Sequence, residues 1–144
     1  MTKSHHHHHH HHLLHFLFII TNFFDFSGAD VGTATRYSPP YLPTACYSTD
    51  VSQFPANNQF ASAGEGIWDN GASCGRQYLV RCISASAQGF CILGVTIAVT
   101  IVDRGVSSIS YPIVANTTMT LSAATFAMIG DASASEINIE FQQI

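Results

Sequence analysis

The side chains able to do chemistry in this chain are few, and their types narrow that chemistry sharply. All nine histidines lie at positions 5–12 and 15, so residues 30–144 contain none. A Ser-His-Asp triad is thereby excluded from that region, because no imidazole is present to move the proton. Four cysteines, Cys46, Cys74, Cys82 and Cys91, are separated by 27, 7 and 8 residues. With no C-x-x-C and no nearby histidine, they lack both the spacing and the partners of a zinc site, and no metal or cofactor is expected. An even number of cysteines in a small exported domain reads instead as two disulfides, with three pairings open. Oxidised cysteines cannot act as nucleophiles. Asp103 ends an apolar stretch and has two readings. It orders a strand-end turn or pairs with an arginine, or it is an acid available for chemistry. Ordinary glycoside hydrolysis needs two carboxylates facing each other across the sugar.

Aromatic residues offer binding rather than reaction. Sugar rings present apolar faces, and Tyr37, Tyr47 and Trp68 are the side chains on which such faces can stack. Trp68, the only tryptophan, has the alternative role of core residue or disulfide cover. Thr35 shares a strand face with Tyr37, while Arg36 points the other way and is read as solvated. Arg76, after Cys74-Gly75, is either a donor to backbone carbonyls that stabilises a turn or a groove residue, and the structural role is preferred.

Period-two alternation supplies the strands that would position these groups. Gln77–Ile83 sets Tyr78, Val80 and Cys82 on one face, and Val95–Val102 sets Val95, Ile97, Val99 and Ile101 on one face. Ile137, Ile139 and Phe141 alternate with polar neighbours, and Gly32–Tyr37 and Thr117–Leu121 are shorter candidates. Prolines at 39, 40 and 43 break regular pairing, and Asp69-Asn70-Gly71 marks a turn. Ser122 can cap a helix carrying Phe126 and Ile129 that stops at Gly130. These short strands with one helix predict a small closed barrel.

At 144 residues the chain holds one domain, with 47% hydrophobic and 10% charged residues. Residues 30–144 carry only Arg36, Arg76, Arg81 and Arg104 as bases, too few for a nucleic-acid partner held through phosphates. Residues 1–29 read as a secretory signal: Lys3 and the run His5–His12, an apolar stretch Leu13–Phe24, then Ser27-Gly28-Ala29 before a cut at Asp30. The oligohistidine run is natural low-complexity sequence or a tag. The product, residues 30–144, is expected to be secreted and monomeric, with no membrane span after cleavage. Asn116-Thr117-Thr118 is an N-glycosylation motif.

Several motifs together resemble a known family. They are Gly32-Thr33-Ala34-Thr35-Arg36-Tyr37, Pro39-Pro40-Tyr41, Ala45-Cys46-Tyr47, Gly66-Ile67-Trp68 with Asn70-Gly71, Cys74-Gly75-Arg76, Tyr78-x-Val80-Arg81-Cys82, Ile101-Val102-Asp103, and Leu121-Ser122 ahead of Phe126. In this order they resemble the secreted plant natriuretic peptide-like and blight-associated proteins, which carry only the endoglucanase-like domain of expansins. The resemblance spans residues 31–144 and implies a six-stranded double-psi β-barrel, with Thr35 and Tyr37 facing a groove. It also implies the pairing Cys46–Cys74 with Cys82–Cys91, since the family's third bridge is missing where Arg104-Gly105-Val106 stands. In expansin relatives an acid sits in a His-Phe-Asp-Leu-Ser type motif; the matching stretch is Thr118-Met119-Thr120-Leu121-Ser122, with Thr120 in the acid's place. A second acid, found in some relatives before Ala45-Cys46, is also absent from Leu42-Pro43-Thr44. Ser48 stands where relatives usually have glycine.

The expected protein is therefore a non-enzymatic, apoplastic one, with no catalytic residues. For it the resemblance implies a role in water and solute balance or stress response, without expansin activity. Its partner is an extracellular receptor or a cell-wall polysaccharide; in the second case it is a binding module whose groove uses Thr35, Tyr37, Tyr47, Trp68 and Asp103. The remaining alternative is a weak lytic enzyme centred on Asp103, whose setting Val102-Asp103-Arg104-Gly105 also resembles the Asp-Arg-Gly turn of bacterial rare-lipoprotein barrels.

Overall fold

Alternating burial builds the long strands. The computed structural model describes residues 28–105 and 116–144, so residues 1–27 of the expected leader lie outside it. Tyr78, Val80 and Cys82 are buried along β3 (Gln77–Ala85), as are Ile97, Val99 and Ile101 along β4 (Thr96–Arg104) and Ile137, Ile139 and Phe141 along β6 (Ile137–Gln143). With β1 (Asp30–Tyr37), β2 (Phe60–Ala63) and β5 (Met119–Ser122) they close a barrel in the order β1-β5-β2-β4-β3-β6. β1 runs parallel to β5 and β2 parallel to β4, and the other neighbours are antiparallel. Closure removes the sheet edges that invite unwanted pairing.

The interior is apolar throughout. Ile101, Met119, Leu121, Phe126, Ile137 and Ile139 meet there, none more than 1% exposed. β2 has no counterpart in the sequence-level expectation: Phe60-Ala61-Ser62-Ala63 is short, made largely of small residues and buried on both faces, so no polar alternation marks it. The expected helix is shorter than its pattern suggested. One helical turn, Ala123–Phe126, is capped by the Ser122 hydroxyl, which accepts from the Thr125 amide at 3.3 Å. Further turns then carry Ile129 into the core, and its carbonyl accepts from the Ile92 amide.

Two disulfides join Cys46 to Cys74 and Cys82 to Cys91. The first ties the irregular segment 38–50 to the loop after Trp68. Arg36 is not solvated as its alternation suggested. It donates to the Ala134 carbonyl and its guanidinium lies 5.6 Å from the Phe126 ring centroid, because the Ala123–Phe126 turn covers that side of β1. Among the described residues, no helix is long and apolar enough to cross a membrane.

Candidate functional site

A row of polar side chains crosses four adjacent strands on the outer face of the barrel wall. In the pairing register Thr35 of β1 faces Thr120 of β5, Thr120 faces Ser62 of β2, and Ser62 faces Asp103 of β4. Paired residues project to the same side of a sheet, so one continuous row results. Asp103 joins it through an irregularity. Ala61 pairs with Ile101 but Ser62 with Asp103, leaving Val102 as an extra residue. Such a bulge re-aims the side chain that follows it. Ile101 stays in the core, while Asp103 turns outward beside Val102.

The row is buried: Thr35, Ser62, Asp103 and Thr120 are all at most 5% exposed. Thr35 and Thr120 hydroxyls lie 3.0 Å apart in a mutual hydrogen bond. Asp103 Oδ1 accepts from the Ala45 amide and from its own neighbour's, Arg104, both at 2.8 Å. Through the first of these bonds the carboxylate pins the segment that carries Cys46. Tyr37 lies in the same region with its phenol buried. Desolvation first, then the nearby Asp103 carboxylate, then Tyr41, push its pKa far above the ordinary value, so it stays a protonated donor. Among the described residues the Tyr37 hydroxyl and Ser62 Oγ find no hydrogen-bond partner.

Tyr37, Phe60 and Val102 form a second, smaller core outside the barrel, with Tyr41, Tyr47 and Phe54 packed against it. The rings meet edge to face: Tyr37 with Tyr41 at 5.0 Å, Tyr41 with Phe60 at 4.9 Å and Phe54 with Phe60 at 4.8 Å. Tyr37 is thus a packed ring presenting only its hydroxyl to the polar row. Tyr47 packs at the margin of this cluster. Ser48, at φ 54°, holds the left-handed turn that follows without glycine's freedom.

Trp68 sits elsewhere, on the helical turn Glu65–Trp68, half-buried against the barrel core. The Arg104 guanidinium lies 5.6 Å from its ring centroid and is held by Glu65 through two hydrogen bonds of 2.8 and 2.9 Å. Glu65 and Trp68 are three apart on one turn, so both reach the same cation. That hydrogen bonding to Arg104 lowers the Glu65 carboxyl below its ordinary range. Arg76 donates to Asp69 at 3.0 Å across the Asp69–Gly71 turn, a structural use of that cation. The structure therefore gathers Thr35, Tyr37 and Asp103 with Thr120 and Ser62. Tyr47 stands at the edge of the aromatic cluster, and Trp68 on its own turn beside Arg104. Ser62 escaped the sequence reading because the strand carrying it did. Only the register with Thr120 could have pointed to it.

A family model described as lytic transglycolase (DPBB_1) matches residues 61–141. An EG45-like domain containing protein of Citrus jambhiri is 37% identical over 119 residues, covering 80% of this chain and 82% of the relative. EG45-like domain containing protein 1 of Arabidopsis thaliana is 31% identical over 130 residues, covering 90% and 95%. Among solved structures, the apo expansin of Clavibacter michiganensis is similar with a TM-score of 0.56 at 20% identity, over 81% of this chain and 50% of that one. A mutant of that expansin in complex with cellohexaose gives 0.57 at 20% identity, with the same coverage. The chain thus spans half the length of these expansins, and the likeness is one of fold.

Proposed function

We infer the action of this protein from the premise that the chain belongs to the lytic transglycolase barrel family (DPBB_1) and, within it, to the EG45-like domain proteins. It is a secreted barrel that acts by recognition and not by glycan cleavage. One observation carries the reading: the polar row holds a single carboxylate, Asp103, which is 1% exposed and spends Oδ1 on two backbone amides. Hydrolysis needs a second carboxylate across the sugar, and Thr120, the residue in line for it, is a hydroxyl bonded to Thr35; a one-acid lytic cleavage would have to draw on Asp103 itself, which is 1% exposed and anchored by two backbone amides. A hydroxyl is far too weak an acid to protonate a leaving group at physiological pH. The role in water and solute balance or stress response, implied by the resemblance to natriuretic peptide-like proteins, fits a freely diffusing recognition protein of the apoplast.

A second reading adds a ligand, a neutral cell-wall polysaccharide. It is favoured by Trp68, whose half-buried apolar ring is open to stacking against a sugar face. The solved expansin complex holds cellohexaose, itself a neutral glucan. One experiment tests both readings: purified protein is incubated with insoluble plant cell wall and with peptidoglycan. No release of reducing ends is expected, and release that disappears in Asp103→Asn would overturn the recognition reading. Saturable retention on the wall, weakened in Trp68→Ala, identifies a polysaccharide ligand. No retention directs the search to a protein receptor.

A further inference from the structure

We propose that Asn116 carries an N-linked oligosaccharide, added before the barrel closes because folding itself withdraws the acceptor site. Asn116-Thr117-Thr118 is the only Asn-x-Ser/Thr in the chain, although six asparagines are present. Asn116 is exposed and sits at φ 65°, a left-handed position that asparagine tolerates better than most residues. A glycan on its side chain displaces nothing buried.

The other half of the motif is locked away. Thr118 Oγ1 accepts from the Thr33 amide at 3.1 Å. The Thr118 amide donates to the Thr33 carbonyl, and the Thr118 carbonyl accepts from the Gly64 amide at 2.9 Å. Two glycines clamp this backbone: a Cβ on Gly32 would strike Thr118 Oγ1, and one on Gly64 would strike the Thr117 carbonyl oxygen. A transferase has to read the Asn116 amide and the Thr118 hydroxyl together. In the closed barrel that hydroxyl is committed to β1, and the segment just before β5 cannot bend away without breaking its bonds to Thr33 and Gly64.

The reaction is a substitution. Asn116 Nδ2 attacks C1 of an oligosaccharide linked to a polyprenyl diphosphate, forming an N–C bond. The C1–O bond breaks, the diphosphate leaves with its electron pair, and one amide proton is lost to base. No oxidant or reductant enters. The inference rests on the secretory reading, because that donor and its transferase belong to the export route.

The test is translation of the full chain behind a proven secretory leader in the presence of endoplasmic-reticulum microsomes. A single endoglycosidase-sensitive mobility shift is expected, absent in Asn116→Gln and Thr118→Val and kept in Thr118→Ser, which retains the hydroxyl. No shift in the unaltered chain overturns the site. Oxidised, folded protein given to detergent-solubilised transferase should stay unmodified while reduced, unfolded chain is modified. Equal modification of both overturns the proposed order of events. A parallel arm with the chain's own leader separates the two ideas. A shift seen only behind the proven leader sinks the secretory reading and leaves the acceptor site standing.

Discussion

The barrel interior and the smaller aromatic cluster outside it are both built from apolar side chains, to different ends. Inside, Ile101, Met119, Leu121, Ile137 and Ile139 meet with no polar group among them. Outside, Tyr37, Phe60 and Val102 sit against a row of hydroxyls and one carboxylate, and among the described residues the Tyr37 and Ser62 hydroxyls have no hydrogen-bond partner. A polar atom buried without a partner costs stability, so the outer layer gives up stability that the inner one keeps. The difference teaches where to look for function: the interior holds the fold, and the outer layer keeps polar groups that the fold alone does not use.

The sharpest way to break this comparison is to damage each side equally. Leu121→Ala removes a fully buried side chain from the interior and should cost about 2–5 kcal/mol in urea unfolding. Removing the Cys46–Cys74 bridge by a double Cys→Ala change frees a separation of 28 residues, and the loop-entropy model gives a loss of about 3.5 kcal/mol. The two losses differ in kind. The first should lower stability with near-ultraviolet signals from the outer tyrosines intact; the second should loosen those tyrosines first, because the bridge anchors the segment carrying Tyr41 and Tyr47. Identical spectral changes in both variants would mean that the two layers are one cooperative unit.

Tyr37→Phe sharpens the contrast with a smaller change of opposite sign. Deleting an unpartnered buried hydroxyl while keeping the ring should be neutral or stabilise by up to about 1 kcal/mol. A loss of more than 1 kcal/mol would show that the hydroxyl is satisfied by a bound water. The same variant has an alkaline signature. The folded phenol is held protonated by burial and by Asp103, whereas in the unfolded chain it ionises near about 10. Its contribution is therefore complete below that value and lost as pH rises above it, and Tyr37→Phe should remove this alkaline decline.

What could be read from sequence follows the same division. β3, β4 and β6 were legible because one face is core and the other is wetter, and alternation reports that asymmetry directly. β2 was not, since both its faces are covered and Ala61 and Ala63 are too small to stand out. The polar row was half legible. Thr35, Tyr37, Asp103 and Thr120 follow from motif resemblance, but Ser62 and the outward turn of Asp103 depend on a bulge that only the register reveals. Trp68 was marked by its type alone, and its place beside Arg104 follows from a helical turn with no periodic signal. Ser48 was legible as an anomaly. It keeps a φ of 54°, so Ser48→Gly should stabilise the protein by roughly 0.5–1 kcal/mol, measured as a raised urea midpoint. No gain would mean that the serine side chain compensates for its own backbone.

The smallest expected effect tests whether the interior is indifferent to charge. Three carboxyls outside the barrel core are lowered: Glu65 by hydrogen bonds from Arg104, Asp131 by those from Ser133, and Asp50 by those from Ser52. A lowered folded value means that the unfolded chain takes up protons first as pH falls. Their support is then complete above the ordinary carboxylate range of about 4 and lost as pH drops through the lower folded values. Each group is solvent-exposed, so each effect is slight and fades in salt. Melting temperature should fall gently below about pH 4, less steeply in Glu65→Gln, which keeps the side-chain size but cannot ionise. Leu121→Ala should shift the whole curve downward without changing its slope, because Leu121 packs among groups that do not titrate. If Leu121→Ala instead steepens the acid limb, the barrel wall transmits the titration of its surface, and the division between an inert interior and a responsive exterior fails.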